Sequence, residues 1–409
     1  MSLIHLPINI ISYTFITLIL SLFLSFDNIR YKKYQLYEFK KDQLICIGIL
    51  TVFCIYLAVS YFGIPLEIKF ETTDPNVHYF AANQFANSDV LVNYIHKDFD
   101  IYEGSVRNMM PLFYTNAGFF MKGLSDFFYG INNYQSFLIY IIYSFTLSVL
   151  VVFVIALQFL RQNKLILFGL IFCIFYAMGY PYNQIIFGFG YLGDTVLVIL
   201  LLLLSLQMFC KHTEDFSKIE KIIMIIILGI LNFSIFFGYY MFMPAVYGAV
   251  FLFYLYFFYK KKRLFSKEFW SLLFVTLIIP FCLGAIQFFI PMVITNVEAL
   301  EVNTVNFKFS AFSLLEMEGY IYRDLYSNFI VFIPFCLYFI YHKIKISNLS
   351  FDFWLILCML AFTLLEFLLG MKGYASSYYY FKNYYVLAPL LFYTLIYSID
   401  KLYIKEFKI

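Results

Sequence analysis

Residues Gly188–Leu204 read GFGYLGDTVLVILLLLL, in which one charged side chain, Asp194, precedes the unbroken apolar run Val196–Leu204. A helix that crosses a bilayer needs about 20 mostly apolar residues, and stretches of that kind recur along the 409-residue chain. The chain is 63% hydrophobic and 13% charged, whereas a soluble domain carries about 25% charged residues. The sequence therefore predicts an all-α polytopic membrane protein, built as a single integral-membrane domain over residues 1–409.

Apolar windows of about 19 residues predict eleven transmembrane helices. They lie near residues 8–26, 44–62, 137–158, 165–180, 194–210, 221–238, 240–259, 269–291, 326–342, 353–370 and 385–400.

Lysine and arginine are unevenly distributed among the connections. Every second connection, together with the C-terminal tail, holds 20 of the 28 basic residues, although the remaining connections are longer. Basic residues mark the cytoplasmic side of a membrane protein. We therefore expect the N-terminus outside and the C-terminus in the cytoplasm, with outer loops at about 63–136, 292–325 and 371–384.

The first outer loop carries helix signals. Thr73-Asp74-Pro75 places a capping residue before a proline at the first helical position, and no Pro or Gly interrupts residues 76–94. One face of the helix predicted there carries His78, Ala81, Ala82 and Phe85. The aromatic stretch Leu112–Gly130 is amphipathic and suits an interfacial helix. We expect this loop to lie along the membrane surface as short helices.

Asp74 and His78 each have two interpretations. Asp74 either only caps its helix by accepting backbone N–H bonds, or also takes a proton from a sugar hydroxyl or holds a metal ion at the outer membrane face. His78 lies one turn further along the predicted helix. It either assists that carboxylate or is a solvated interfacial histidine.

Two more carboxylates lie at the predicted outer ends of spans. Asp194 either caps its span or joins Asp74 in an acidic pair at the same membrane depth. Glu366 lies about one turn inside its span, where an ionisable group costs a few kcal/mol and is usually paired or functional. Lys372 is close enough in sequence to be its partner.

Few basic groups face outward, and a phosphate-bearing lipid substrate would need some of them at its leaving phosphate. The candidates are Arg107, Arg323, Lys372 and Lys382, each of which could also be a snorkelling interfacial side chain. The run Gly373–Tyr385, GYASSYYYFKNYY, adds six tyrosines, Tyr379 among them. Tyrosine is common at bilayer interfaces, and its ring and hydroxyl also suit a sugar linked to a phosphate.

Several signatures of other functions are missing from the sequence. The seven cysteines lie in or beside apolar runs without a CxxC pair, which is typical of small apolar residues in helices and does not indicate a metal site. The sequence contains no GxxxxGK[ST] and no HExxH, and the short cytoplasmic connections leave no room for a nucleotide-binding domain. ATP-driven transport by this chain alone is therefore not expected, and no cofactor is identified.

The arrangement resembles the GT-C membrane glycosyltransferases, in which a span is followed by a long outer loop with a carboxylate near its start, here Asp74 in ETTDPNVHY. In the stretch GYLGDTVLV, Asp194 lies at the start of a predicted span. This position is similar to that of an acidic residue that begins a later span in the same family. The overall build also resembles the Wzy-type polymerases of O-antigen and capsular polysaccharide, which have two main outer loops, here 63–136 and 292–325.

Both resemblances imply glycosyl transfer on the outer face of the bacterial cytoplasmic membrane, as polysaccharide polymerase or single-sugar transferase. The partners they imply are polyprenyl-linked sugars or oligosaccharides, membrane lipids and other polysaccharide-assembly membrane proteins, and no nucleic acid. Asp74, with His78 or Asp194, would then activate the acceptor hydroxyl. The alternative is a lipid-linked oligosaccharide flippase or other secondary transporter, for which polar groups near the bilayer midplane would be expected.

Overall fold

A computed structural model of the chain describes residues 40–64, 66, 74–86, 111–127, 132–157, 163–178, 190–214, 216–294, 332–372, 374 and 377–406. These residues form helices and turns, and no β-strand occurs among them. The helices are α1 (Lys41–Phe62), α2 (Asp74–Ala86), α3 (Pro111–Phe127), α4 (Asn133–Leu157), α5 (Asn163–Met178), α6 (Gly190–His212), α7 (Lys218–Phe237), α8 (Met243–Lys260), α9 (Lys267–Leu273), α10 (Ile279–Ile294), α11 (Ile333–Lys345), α12 (Phe351–Met371) and α13 (Ser377–Glu406).

The described residues include eight helices that are long and apolar enough to cross a membrane. These are Lys41–Phe62, Asn133–Leu157, Gly190–Lys211, Lys218–Phe237, Tyr240–Lys260, Lys267–Ile286, Phe351–Met371 and Lys382–Leu402.

Apolar stripes on these helices face outward. On α7, Ile219, Ile222, Ile226 and Ile230 are between 49% and 61% exposed, and they follow the spacing of one helix face. A contiguous exposed apolar surface of this kind is covered by a membrane or a partner in stable proteins. The chain is therefore a multi-pass membrane protein.

Ten of the eleven predicted spans overlap described helices, the one predicted at 326–342 only from residue 333 onward, and the span predicted at 8–26 lies outside the described residues. The predicted break near Gly238 is confirmed, because α7 ends at Phe237 and a short 3₁₀ turn, Tyr240–Phe242, leads into α8. The total number of spans and their orientation stay predictions.

The chain divides into two compact units, residues 1–146 and residues 147–409. In the first unit α2 packs against α3. In the second unit α8 packs against α12, α6 and α10 pack against α7, and α13 packs against both α11 and α12. The prediction of one integral-membrane domain stays a prediction.

Local sequence explains where several helices begin and end. Ser217 and Glu220 form a reciprocal capping box at the start of α7, with the Ser217 amide donating to the Glu220 carboxylate at 2.6 Å, which satisfies two amides that helix geometry leaves without partners. Lys262 adopts a left-handed φ of 53° after α8, and the Arg263 amide donates back to the Phe258 carbonyl. That bond pattern ends a helix sharply.

Two irregularities shape the helices of the second unit. A π-helical segment, Phe274–Ile278, joins α9 to α10, and it lies against Gly229 of α7, where an added Cβ atom would sit 2.9 Å from the Val275 carbonyl oxygen. Pro389 lies inside α13 and borders a small apolar cavity that is also lined by Val152 and Leu200.

Candidate functional site

The most distinctive polar site of the second unit surrounds the buried ammonium of Lys382. This side chain, only 4% exposed, lies on the second turn of α13. Its ammonium donates to the Tyr191 hydroxyl at 3.0 Å and lies 5.5 Å and 4.9 Å from the ring centroids of Tyr191 and Tyr239. Aromatic faces stabilise a desolvated cation. We call Tyr191, Tyr239 and Lys382 the lysine cage.

Asp194 lies on the same helix, α6, as Tyr191 of the cage. Asp194 follows Tyr191 by three residues, so both lie on the same side of α6, and Asp194 is only 4% exposed. Helix α6 already begins at Gly190, so Gly190 and Gly193 are themselves helical. The interpretation of Asp194 as the residue that caps this helix is therefore wrong. Asp194 is an intrahelical, buried carboxylate.

Glu366 of α12 is joined to α13 next to the cage. Its side chain is 8% exposed, and the Asn383 side-chain amide donates a hydrogen bond to its carboxylate. Phe367 and Tyr380 make a second contact between the same two helices, with ring centroids 5.7 Å apart. Lys372 is exposed and forms no ion pair with Glu366 among the described residues, so the interpretation of these two as an ion pair is wrong. Lys372 follows six positions after Glu366, which places it about 120° away around the helix axis.

These groups come from helix ends that alternate in direction. Tyr191 and Asp194 lie at the start of α6, Glu366 lies near the end of α12, and Lys382 lies near the start of α13. All of them fall on the side of the membrane for which the charge distribution predicts the outer face. Two contacts join them, one between Lys382 and Tyr191 and one between Asn383 and Glu366.

A second polar cluster lies further along α13. The Lys343 ammonium is 2.7 Å from the Asp352 carboxylate, and their side chains are 6% and 1% exposed. The Ser350 and Tyr393 hydroxyls also donate to Asp352, and the Lys343 ammonium donates to Ser350. A buried ion pair is stable only when its remaining hydrogen-bonding positions are filled in this way. The cluster joins α11, α12 and α13.

The two polar clusters on α13 are separated by an apolar segment, Val386–Phe392. Asn383 and Tyr393 are ten positions apart, which corresponds to a rise of about 15 Å along a helix. The first cluster thus lies near the start of α13, and the second lies near the middle of this helix.

The first unit holds the other part of the predicted site. His78 is 8% exposed, and its Nδ1 atom shares a hydrogen bond of 2.8 Å with the Tyr114 hydroxyl. Ala81 and Ala82 are buried as well, which agrees with the predicted face for these three residues and contradicts the interpretation of His78 as a solvated residue. The Phe85 side chain, the fourth on that face, lies outside the described residues. The Asn133 side-chain amide donates to the Asn83 carbonyl at 2.8 Å. Burial raises the pKa of the Tyr79 hydroxyl, which follows His78 in the chain, above its ordinary value.

Helix α2 begins at Asp74, as predicted, and α3 confirms the helix predicted near Leu112–Gly130. The Asp74 and Tyr379 side chains lie outside the described residues, as do Arg107 and Arg323. The acidic pair predicted between Asp74 and Asp194 stays a prediction.

Sequence reasoning missed Tyr191, Tyr239, Asn383 and the Lys343–Asp352 pair. Tyr191 and Tyr239 are ordinary members of an aromatic-rich chain, and only tertiary packing brings them to Lys382. The signal that could have found Asp352 is its position as a charged residue in the first turn of a span, nine positions after Lys343.

The described residues contain no group of three or more His, Cys, Asp or Glu side chains placed to hold a metal ion. Comparisons of the chain with models of protein families, with curated proteins and with solved structures give no match.

Proposed function

We propose that the chain transfers a glycosyl group from a polyprenyl-(pyro)phosphate-linked sugar or repeat unit in the synthesis of a bacterial surface polysaccharide. The reaction would take place at the outer face of the cytoplasmic membrane. The observation that carries this proposal is the lysine cage, a buried cation between two tyrosine rings at the end of spanning helices.

The chemistry of the cage fits a sugar that is linked to a phosphate. Glycosyl transfer from such a donor leaves negative charge on a phosphate oxygen, and a cation in a water-poor site stabilises that charge more strongly than one in water. Tyrosine rings pack against the apolar faces of sugars, and their hydroxyls form hydrogen bonds. Among the four cations that the sequence suggests, we propose Lys382 as the one that binds the phosphate.

Buried carboxylates supply the second requirement, a group that takes the proton from the acceptor hydroxyl. Asp194 and Glu366 are both buried, Asp194 three residues after Tyr191 of the cage and Glu366 on Asn383, the residue after Lys382. Asp74, with the buried His78 one turn further on, is the candidate of the first unit that the resemblance to GT-C enzymes favours.

The alternative function is a lipid-linked oligosaccharide flippase or other secondary transporter. The Lys343–Asp352 pair favours it, because buried charges within a membrane protein often mark a substrate or ion pathway. The apolar segment Val386–Phe392 between the two clusters of α13 favours chemistry at one face instead.

Purified protein in liposomes distinguishes the two functions. Lipid-linked repeat units are supplied from the outside, and the products are separated by size while lipid translocation is followed in parallel. We expect a glycosylated lipid or polymer from the wild type and less of it from Lys382→Gln, which removes the cation of the cage. Translocation of the lipid without any product would overturn glycosyl transfer. Full activity of Lys382→Gln would overturn only the role of Lys382.

A further inference from the structure

Glu366 is a buried carboxylate whose described partner is an amide and not a cation. The Asn383 side-chain nitrogen donates to it, and no lysine or arginine among the described residues forms an ion pair with it. A neutral donor holds a carboxylate in place without adding the positive charge that would strongly reduce its basicity. An ionisable side chain at this depth costs several kcal/mol and is a functional candidate for that reason.

Asn383 offers a second polar atom at the same place. Its side chain is fully buried, and its Oδ1 atom accepts no hydrogen bond from the described residues. A buried carbonyl oxygen without a donor costs about 1–3 kcal/mol. A ligand that brings a hydroxyl group to Oδ1 would recover that free energy. Sugars carry neighbouring hydroxyls, so one can donate to Asn383 while the next donates to Glu366.

Lys382, the candidate for binding the phosphate, is the residue before Asn383 in the chain. Lys382 and Asn383 are consecutive, so their Cα atoms are about 3.8 Å apart, and α13 presents one to the tyrosines of the cage and the other to α12. Lys382 is therefore the direct chain neighbour of the amide that holds the Glu366 carboxylate. Transfer of a sugar from a phosphate to a hydroxyl needs both groups close together.

We infer that Glu366 is the catalytic base of the proposed transfer and that Asn383 positions both Glu366 and the acceptor sugar. This inference rests on the proposed function. The acceptor oxygen forms a bond to the anomeric carbon while the bond from that carbon to the phosphate oxygen breaks. The bonding electrons leave with the phosphate, whose charge Lys382 stabilises, and the acceptor proton passes to the Glu366 carboxylate, which later loses it to water.

The decisive variant is Glu366→Gln. Glutamine keeps the size of the side chain, and its Oε1 atom still accepts the Asn383 hydrogen bond, but it cannot take a proton. Removal of a general base lowers a rate by about 100-fold to 10,000-fold. We expect the kcat of Glu366→Gln to fall by at least about 100-fold, while its Kd for undecaprenyl phosphate stays within about threefold of the wild type, since the phosphate site is intact.

Asn383→Ala tests the positioning role separately. It removes the acceptor contact and leaves the carboxylate, so we expect KM for the acceptor to rise together with a smaller fall in kcat. The matched control is Glu268→Gln, an exposed carboxylate that pairs with Arg263 and that should leave both parameters unchanged. The wild-type kcat should fall in acid as the base is protonated, and Glu366→Gln should lose that dependence.

The outcomes separate the inference from the proposed function. A wild type that forms product and a Glu366→Gln variant within twofold of it would overturn the inference and leave glycosyl transfer standing. The inference would also be overturned if the fall of kcat at low pH disappeared in Asp74→Asn alone or in Asp194→Asn alone. A folded wild type that binds undecaprenyl phosphate but forms no product from any lipid-linked donor would overturn the proposed function.

Discussion

The Lys382 ammonium lies 3.0 Å from the Tyr191 hydroxyl, although 191 positions of the chain separate the two residues. This contact joins α13 to α6, and Tyr239 from the connection between α7 and α8 completes the enclosure of the cation. A buried lysine is costly unless its charge is stabilised. The two tyrosines contribute to that stabilisation through one hydrogen bond and two ring faces.

Lys382→Gln should weaken the binding of undecaprenyl phosphate by at least about tenfold, since one charge-assisted contact to a phosphate is worth about 1.5–3 kcal/mol. Lys372→Gln removes an exposed lysine outside the cage and should change the Kd by less than about twofold. Titration of each purified variant in detergent, followed by tyrosine fluorescence, measures both values. Equal effects of the two substitutions would contradict a specific role of Lys382.

Asp352→Leu should lower the free energy of unfolding in detergent by about 3–5 kcal/mol, because it leaves the Lys343 ammonium buried without its anion. The double variant with Lys343→Met should recover most of that loss, since an apolar pair replaces an ion pair whose desolvation was costly. Glu268→Ala breaks the exposed pair with Arg263 and should cost less than about 1 kcal/mol. Thermal and denaturant unfolding of the four proteins provides the comparison. A double variant as unstable as Asp352→Leu would show that the cluster stabilises by more than charge compensation.

Gly229→Ala should destabilise the second unit by about 1–3 kcal/mol, because the new methyl group would meet the Val275 carbonyl oxygen at 2.9 Å and force α7 away from the π-helical segment. Gly248→Ala is the matched control, since a Cβ atom there has nothing within 4 Å, and alanine at an open helix position should stabilise by about 0.5–1 kcal/mol. Unfolding temperatures in the same detergent give the sign of each change. An unchanged unfolding temperature of Gly229→Ala would mean that α7 and the π-helical segment do not approach each other this closely.

Tyr114→Phe should destabilise the first unit by about 1–3 kcal/mol, because it leaves the buried Nδ1 atom of His78 without this hydrogen bond. Tyr143→Phe, at a residue 49% exposed, should cost less than about 0.5 kcal/mol. Proteolysis of α2 and α3 at rising denaturant concentration reports on this unit alone. If the two substitutions lowered the stability equally, the hydrogen bond between Tyr114 and His78 would not contribute measurably to the stability of this unit.

The sequence predicted most of the fold because membrane insertion depends on local composition. A window of apolar residues is enough to place a spanning helix, and Thr73-Asp74-Pro75 was enough to place the start of α2. The π-helical segment has no such signal. It follows from how Gly229 lets α7 approach Val275, which is a property of two helices and not of one.

The candidate site was predicted only in part, for the same reason. Scarcity of charge singled out Lys382, Glu366 and Asp194, which are all buried in the second unit. Their partners could not be read from spacing. Lys372 was the nearest cation to Glu366 in sequence, yet the end of α12 turns it away, and the partner that Glu366 has is Asn383 of the next helix.

Pro389 has a mechanical consequence for α13. Proline supplies no amide hydrogen, so position 389 donates no intrahelical bond and the hydrogen-bond ladder is interrupted between Asn383 and Tyr393. Helix α13 is therefore less well braced at Pro389 than in the segments on either side of it. A bend at this point would change the direction in which Lys382 leaves the part of α13 that Tyr393 fastens to Asp352.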